Sequence, residues 1–220
     1  MSRTYALSDI HGHLNKLVAL VAQCQSEAGS AAAKFVFLGD YIDRGPDSRG
    51  VVEYLIDFQS RRPGDVICLC GNHEDLALSA IDDTGEIAQW VAYNSGDTTL
   101  RSYGVRAPSE LPASHVDWMR SLATHHDDGR RFFVHAGVDP SRPLHRQDRH
   151  DLLWMREPFL SDSRDYGRLI VHGHTPLGGG RPDLRTNRVN IDTAAGMGGP
   201  LTAAIFDDLT AAPVGFLQER

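Results

Sequence analysis

Residues 39–45 of this chain read GDYIDRG and place two carboxylates and a guanidinium directly after an apolar run. That run, residues 35–38, has the continuous hydrophobicity of a buried β-strand. Charged groups at the point where a buried strand emerges are costly unless they bind a cation, an anion or one another. Two interpretations are open on this motif alone: a functional site, or a polar turn in which Asp43 and Arg44 form a solvated pair.

Five short apolar runs in this sequence are each followed by Asp, Asn or His. The carboxyl ends of strands gather at one edge of an open α/β sheet, so we expect these side chains to converge. A single His or Asn after a strand is more often a structural residue, but five such strand ends are hard to obtain by chance. The residues are Asp9 and His11, Asp40, Asn72, His135 and His174, after runs 5–7, 34–38, 66–70, 131–134 and 169–171.

The order of the elements predicts an α/β domain. Helical spacing from Leu14 to Ala22 and from Val51 to Phe58 separates the first three strands, with a loop expected at 25–33. Asp47 or Ser48 can cap the second helix. Alternation of continuous apolar strands with helices favours parallel pairing.

The two remaining parts of the chain differ in pattern. Residues from about 75 to 125 predict short helices, which we interpret as a cap-like segment beside the sheet that tunes substrate choice. The carboxyl half predicts a mainly β layer, with strands at 189–191 and 201–206 and an apolar stretch at 214–217.

Length and charge narrow the class of protein. At 220 residues the chain fits a single domain over 1–220, and a net charge of -7 argues against binding nucleic acid through a general basic surface. The sequence shows neither the apolar core of a signal peptide nor a run long enough to span a bilayer, so we expect a cytoplasmic protein without a membrane partner. Cys24, Cys68 and Cys70 lie in apolar runs and are expected to be buried free thiols.

The side chains at the strand ends indicate what is bound. Carboxylates, imidazoles and one amide, without a thiolate, suit Mn²⁺, Fe or Zn²⁺ in an open site. Six candidate ligands are too many for one ion that keeps a coordination position open. They are about the right number for two divalent ions that share a bridging carboxylate. Such a pair assists in-line attack on phosphorus by a metal-bound hydroxide, so the sequence predicts phosphoester hydrolysis.

The ordered motifs resemble the signature of the calcineurin-like metallophosphoesterases, and more narrowly the phosphoprotein phosphatase branch in its compact prokaryotic form. The resemblance covers residues 8 to about 176. It implies a four-layer αββα sandwich of two mixed β-sheets flanked by helices, with a dimetal site at the carboxyl edge of the strands. The motifs are SDIHG at 8–12, GDYIDRG at 39–45, GNHE at 71–74, HAG at 135–137 and GH at 173–174.

The resemblance also implies roles for individual residues. Asp40 would bridge two metals, one also held by Asp9 and His11, and the other also held by Asn72, His135 and His174. His73, oriented by Asp43, would protonate the leaving group. Phosphate would be held by Arg44, Asn72 and Arg156, of which Arg156 matches a second phosphate-binding arginine of prokaryotic members.

Some positions leave alternatives open. Cys70 stands where the family often has Arg, and Ser8 stands where it usually has Gly, although neither change removes a ligand. His172 is two residues before His174 and is an alternative ligand or a neighbour of one. The basic loop 142–150 either lines an entrance for anionic substrates or is solvated.

The functional expectation is a phosphatase. We predict a dimetal phosphomonoesterase that acts on phosphorylated proteins at serine or threonine, or on small phosphoesters, with Mn²⁺ the favoured metal. The alternative enzyme is a dinucleoside polyphosphate hydrolase of the diadenosine tetraphosphate type, which shares these motifs but carries a carboxyl-terminal extension. A non-catalytic regulatory relative is the third possibility.

Overall fold

The computed structural model describes residues 2–220. Within this range, ten strands form two five-stranded sheets. The strands are β1 (Arg3–Leu7), β2 (Ala33–Phe37), β3 (Val66–Cys68), β4 (His125–Asp127), β5 (Arg131–Val134), β6 (Leu169–His172), β7 (Asp183–Leu184), β8 (Arg188–Asn190), β9 (Leu201–Phe206) and β10 (Gly215–Glu219).

The same residues form seven α-helices, which cover the outer faces of the sheets. The two long ones follow β1 and β2, and four more lie between β3 and β4. The helices are α1 (Leu14–Ala28), α2 (Ser48–Arg61), α3 (Asn72–Asp82), α4 (Ile87–Tyr93), α5 (Gly96–Tyr103), α6 (Ala113–Ser121) and α7 (Arg149–Trp154). No helix in residues 2–220 is both long and apolar enough to cross a membrane.

Both sheets are mixed. The first has the strand order β10-β9-β1-β2-β3, in which β1, β2 and β3 are parallel and β9 and β10 are antiparallel additions. The second has the order β4-β5-β6-β8-β7, with β5, β6 and β8 parallel. The predicted α/β fold with two mixed sheets flanked by helices is therefore confirmed.

Three apolar clusters hold these layers together. The cluster between the sheets includes Ala6, Leu38, Val171 and Phe206, which come from strands of both sheets or from residues beside them. A second cluster joins the first sheet to α1, α2 and the helices after β3. The third packs the outer face of the second sheet against α7. Every strand that leads into a predicted site residue is thus buried on both faces, which explains the continuous apolar runs in the sequence.

Several predicted boundaries were wrong. The loop expected at 25–33 begins four residues later, because α1 continues through Ala28 and ends at Gly29, whose φ is 57°. The third strand ends at Cys68 and not at Cys70, since Cys70 turns away and donates its backbone N–H to Ala123. The first sheet also contains β9 and β10, which come from the carboxyl half of the chain. The sequence analysis had placed that half in a mainly β layer.

Two local predictions are confirmed. Asp47 caps α2, and its side chain accepts a hydrogen bond from the backbone N–H of Gly50 at 2.9 Å. The three cysteines are free and buried.

Candidate active site

The loops after β1, β2, β3, β5 and β6 meet at one edge of the molecule, with Asp40 between them. One carboxylate oxygen of Asp40 lies 3.5 Å from Nε2 of His11. The other lies 3.4 Å from Nε2 of His135. Asp40 is therefore placed where a carboxylate could contact two cations at once, although β1 and β2 belong to one sheet and β5 to the other.

In the described part of the chain, two groups of side chains lie close enough to hold a metal ion, with ligand atoms within 4.8 Å of one another. One group is His11, Asp40 and His73, and the other is Asp40, His135 and His174. Asn72 adds an amide oxygen to the second group, 2.8 Å from both His135 and His174. Asp9 lies 4.0 Å from His11 at the edge of the first group.

The backbone at this edge is held in an unusual conformation. Six of the predicted site residues have positive φ, in the left-handed region that residues with a side chain seldom adopt. Such strain costs of order 1–3 kcal/mol per residue and persists only where the surroundings impose it, most often at functional sites. The residues and angles are Asp9 (54°), His11 (47°), Asp40 (57°), Asp43 (70°), Arg44 (64°) and His174 (64°).

A close backbone approach explains one glycine of the opening motif. Gly39 has a φ of 103°, and a Cβ there would collide with the backbone of Gly71. The loop after β2 and the loop after β3 therefore touch at Gly39, which brings Asp40 beside Asn72.

Backbone carbonyl groups fix two of the imidazoles. Nδ1 of His11 lies 2.9 Å from the carbonyl oxygen of Ile42, and Nδ1 of His135 lies 3.0 Å from that of Leu38. A ring nitrogen that donates to a carbonyl leaves the other nitrogen with its lone pair available to a metal. Both rings direct that second nitrogen, Nε2, toward Asp40.

The charges at this edge fit bound cations. Burial and the neighbouring Asp40 raise the pKa of Asp9. Burial and Asp9 likewise raise the pKa of Asp192, a third buried carboxyl group beside the predicted ligands. Three carboxyl groups buried this close together are costly to ionise, and divalent cations would offset that cost.

The imidazoles at this edge also fit bound cations. Burial favours the neutral form of Asp40, yet the surrounding imidazoles, His135 foremost, hold its pKa below the usual value. Nε2 of His11 and Nε2 of His174 are both buried and have no hydrogen-bond partner within residues 2–220. Buried polar atoms without partners are rare, and a metal would satisfy the one that faces the cluster, Nε2 of His11.

His73 and Asp43 form a buried pair beside the cluster. Nδ1 of His73 is 2.7 Å from Oδ2 of Asp43, and Nε2 is 3.3 Å from a guanidinium nitrogen of Arg44. Burial disfavours the imidazolium, but the charges of Asp40 and Asp43 outweigh it and raise the pKa of His73. His73 is therefore suited to hold a proton. A metal ligand would instead need the neutral ring, so this shift favours an acid role for His73 over a ligand role.

The two predicted phosphate-binding arginines are exposed beside the cluster, whereas Asn72 is buried within it. Arg44 is exposed and reaches His73, while Arg156 is exposed beyond the end of α7. The charge of Arg156 reaches the site, because together with burial and His135 it lowers the pKa of His174, to about 3.

In the basic loop 142–150, Arg142 pairs with Asp139 and Asp148, so much of its charge is neutralised within the loop.

His172 lies on the opposite face of β6 from the site. Its Nδ1 is 3.1 Å from the carbonyl oxygen of Gly173, and its ring meets Phe159 edge-on at 5.0 Å in the outer cluster of the second sheet. Of the two histidines, His174 is the one that the structure brings into a metal-type group.

Glu74, Trp90 and Thr99 contact predicted site residues but carried no role in the sequence-based prediction. The carboxylate of Glu74 accepts hydrogen bonds from the backbone N–H groups of Asp40, Tyr41 and Gly71 at 2.8–2.9 Å, and so clamps the opening motif to α3. Its position three residues into α3 is the usual place for such a contact and could have been read from the sequence. Trp90 and Thr99 are distant in sequence from Asp43, which they contact, and have no local signal. Asp192 is a buried carboxyl group whose pKa is raised by burial and by the charge of Asp9, and it has no local signal either.

Comparison with known proteins agrees with this geometry. A family model described as calcineurin-like phosphoesterase matches residues 2–196. Serine/threonine-protein phosphatase 1 of Salmonella typhimurium is 29% identical over 208 residues, which cover 91% of this chain and 90% of that protein.

Two further relatives carry a different name. The symmetrical bis(5'-nucleosyl)-tetraphosphatase of Pseudomonas fluorescens is 34% identical over 143 residues, which cover 64% of this chain and 45% of that protein. The asymmetrical bis(5'-nucleosyl)-tetraphosphatase PrpE of a Geobacillus species is 27% identical over 230 residues, covering 92% of this chain and 90% of that protein. A crystal structure provisionally described as a diadenosine tetraphosphatase shares the fold, with a TM-score of 0.74, 20% identity and coverage of 100% of this chain and 94% of that one.

Proposed function

The chain belongs to the calcineurin-like phosphoesterase family, and we propose that within this family of phosphoester hydrolases it is a dimetal phosphomonoesterase that acts on phosphoserine and phosphothreonine in proteins or on a broad range of phosphomonoesters. The observation that carries the proposal is the buried His73–Asp43 pair beside the metal-type groups. An alkoxide leaves phosphorus readily only when it receives a proton, and this pair can supply one.

The ligand assignment follows the residues that converge. Asp9, His11 and Asp40 would hold one ion, since His11 lies near both carboxylates. Asp40, Asn72, His135 and His174 would hold the other. Bound ions would supply the positive charge that polarises the phosphoryl group and activates the attacking water. Oxygen and nitrogen ligands without thiolate favour Mn²⁺, which stays a prediction, as does the cytoplasmic location.

The remaining steps fall to the side chains of this chain. Arg44 lies next to Nε2 of His73, so a phosphoryl oxygen held by its guanidinium would place the leaving oxygen near that nitrogen. Arg156 and Asn72 would complete the phosphate contacts. His73 would deliver its Nε2 proton to the leaving oxygen, while Asp43 would hold Nδ1 and stabilise the imidazolium before transfer.

Hydrolysis of a dinucleoside polyphosphate is the second candidate, favoured by the two tetraphosphatase relatives. One experiment separates the two. With Mn²⁺ present, kcat/KM is measured on a phosphoserine peptide, on p-nitrophenyl phosphate and on diadenosine tetraphosphate. We expect the peptide and the aryl phosphate to be preferred, and faster cleavage of the dinucleotide by orders of magnitude would reverse the order. If none of the three substrates is hydrolysed, the third possibility, a non-catalytic regulatory protein, is supported.

A further inference from the structure

Two side chains from the helices after β3 bond directly to the carboxylate of Asp43. The indole Nε1 of Trp90, on α4, donates to Oδ2 at 2.9 Å. The hydroxyl of Thr99, on α5, donates to Oδ1 at 2.6 Å. Both residues are buried, with exposed fractions of 0% and 1%, so water does not compete for these contacts. Both carboxylate oxygens of Asp43 are thus bound from the helices after β3. Trp90 is 47 residues away in the chain and Thr99 is 56 residues away.

The donors around Asp43 determine the hydrogen-bond direction at His73. An indole N–H can only donate, and its partner Oδ2 is the same oxygen that lies 2.7 Å from Nδ1 of His73. With its carboxyl group ionised, Asp43 is the acceptor in each of these contacts. It follows that His73 presents a proton on Nδ1, which leaves Nε2 to face the reaction.

The backbone of Asp43 is held by the same group of residues. Its N–H lies 2.9 Å from the hydroxyl of Thr99 and 3.0 Å from that of Ser48, and those two hydroxyls are 3.0 Å apart. Asp43 has a φ of 70°, a conformation that requires such support. Thr99 consequently fixes both the main chain and the side chain of Asp43.

The indole itself is rigidly placed. Trp90 is one of the largest fully buried side chains in residues 2–220. Gly96, the first residue of α5, lies so close that an added Cβ would come within 2.6 Å of the indole ring. The start of α5 therefore packs directly on the ring and leaves it no room to turn away from Asp43.

We propose that Trp90 and Thr99 are positioning residues for the His73–Asp43 acid pair, so that the helices at 87–103 belong to the catalytic apparatus. The inference rests on the proposed role of His73 as general acid. As the bond from phosphorus to the leaving oxygen breaks, the Nε2 proton of His73 passes to that oxygen, and Asp43 remains a carboxylate bonded to Trp90 and Thr99. Without either donor, Asp43 can rotate and His73 loses its fixed direction.

Leaving-group dependence tests the proposal. Phenyl phosphate and p-nitrophenyl phosphate differ by one nitro group, which makes the nitrophenolate leave without help from an acid. We expect Trp90→Phe and Thr99→Val each to lower kcat on phenyl phosphate about 10-fold, as part of a general-acid contribution of about 10²–10⁴. On p-nitrophenyl phosphate the same variants should stay within about 2-fold of the parent, with KM and metal content unchanged.

Two matched variants control for structural damage. Trp118, on α6, also donates its indole N–H, but its acceptor is Gln59 on α2, at 3.0 Å. Trp118→Phe should leave the ratio of the two rates unchanged, and Thr99→Ser, which keeps the hydroxyl, should restore most of the loss seen with Thr99→Val. If Trp90→Phe does not fold, the comparison of Thr99→Val with Thr99→Ser carries the test alone.

A measurement independent of activity accompanies the rates. In ¹H–¹⁵N NMR spectra, Thr99→Val should shift the Trp90 indole N–H and the His73 ring N–H resonances and leave the Trp118 indole in place. Equal losses on both esters, or unmoved Trp90 and His73 resonances, would overturn the inference. A parent protein that cleaves neither ester would count against the proposed function instead, and the NMR result would still decide whether these contacts hold the pair.

Discussion

Nδ1 of His73 lies 2.7 Å from Oδ2 of Asp43, and both side chains are almost fully buried. They come from two strand ends whose loops touch at Gly39 and Gly71. The pair stands 3.8 Å from Asp40 through Nε2 of His73, which places a proton donor next to the carboxylate that the two metal-type groups share.

His73→Asn tests the acid role. The amide keeps a polar group of similar size but cannot transfer a proton, so we expect kcat for a phosphoserine peptide to fall by about 10²–10⁴-fold. The loss on p-nitrophenyl phosphate should be much smaller, because its leaving group needs no proton. Steady-state kinetics with both substrates checks this, and metal content by elemental analysis should stay unchanged. Equal losses on the two substrates would contradict the assignment.

Asp40→Asn tests the bridging role. A neutral amide removes the one negative charge that both metal-type groups share, so occupancy should fall at both sites and not at one. Elemental analysis after dialysis gives the number of ions per chain. Asp97→Asn, at an exposed residue that pairs with Arg101, is the matched control and should retain full metal content. A variant at position 40 that keeps two ions per chain would rule out bridging.

Arg44→Ala tests phosphate binding. The guanidinium lies beside His73, and a charge-assisted bond to phosphate contributes about 1.5–3 kcal/mol, so inorganic phosphate should inhibit the variant about 10- to 100-fold more weakly. Arg101→Ala changes a guanidinium that lies on the same surface as Arg44 but is paired with Asp97. Inhibition constants for the two variants should differ, and a similar small change in both would exclude a specific role for Arg44.

Local patterns explain why most of the fold was predictable from the sequence. Strands buried on both faces produce continuous apolar runs, and β5 and β9 were predicted to the residue. Parallel strands place their carboxyl ends together, which was sufficient to bring Asp9, Asp40 and Asn72 to one edge of the first sheet. That His135 joins them from the second sheet depends on how the two sheets pack. Boundaries such as the end of β3 were missed because they depend on one long-range hydrogen bond to Ala123.

The site was predictable only where its residues lie in short motifs. Asp43 and His73 could be recognised because they lie in the motifs GDYIDRG and GNHE, which resemble the family signature. Trp90 and Thr99 could not, since their contacts with Asp43 depend on how α4 and α5 fold back. A buried tryptophan in a helical segment reads as a core residue in a sequence, and only the contact with Asp43 distinguishes it.

His172→Phe gives a prediction about stability and pH. Burial, reinforced by Arg188, lowers the pKa of His172 to about 3, whereas an unfolded chain would protonate it near pH 6.5. The unfolded state therefore binds one more proton between these values, and His172 lowers the stability of the fold progressively as pH falls below about 6.5. Phenylalanine retains the ring contact with Phe159 but does not titrate.

The two unfolding free energies should consequently converge and then cross as the solution is acidified. At pH 7.5 we expect His172→Phe to be less stable by about 1 kcal/mol, since it loses the bond to the carbonyl oxygen of Gly173. Each pH unit below about 6.5 should reduce that deficit by up to about 1.4 kcal/mol, because one proton fewer is taken up on unfolding. Urea unfolding of both proteins, without metal, at pH 7.5, 6.5 and 5.5 measures the difference. Parallel curves over this range would show that His172 is protonated equally in the folded and unfolded states.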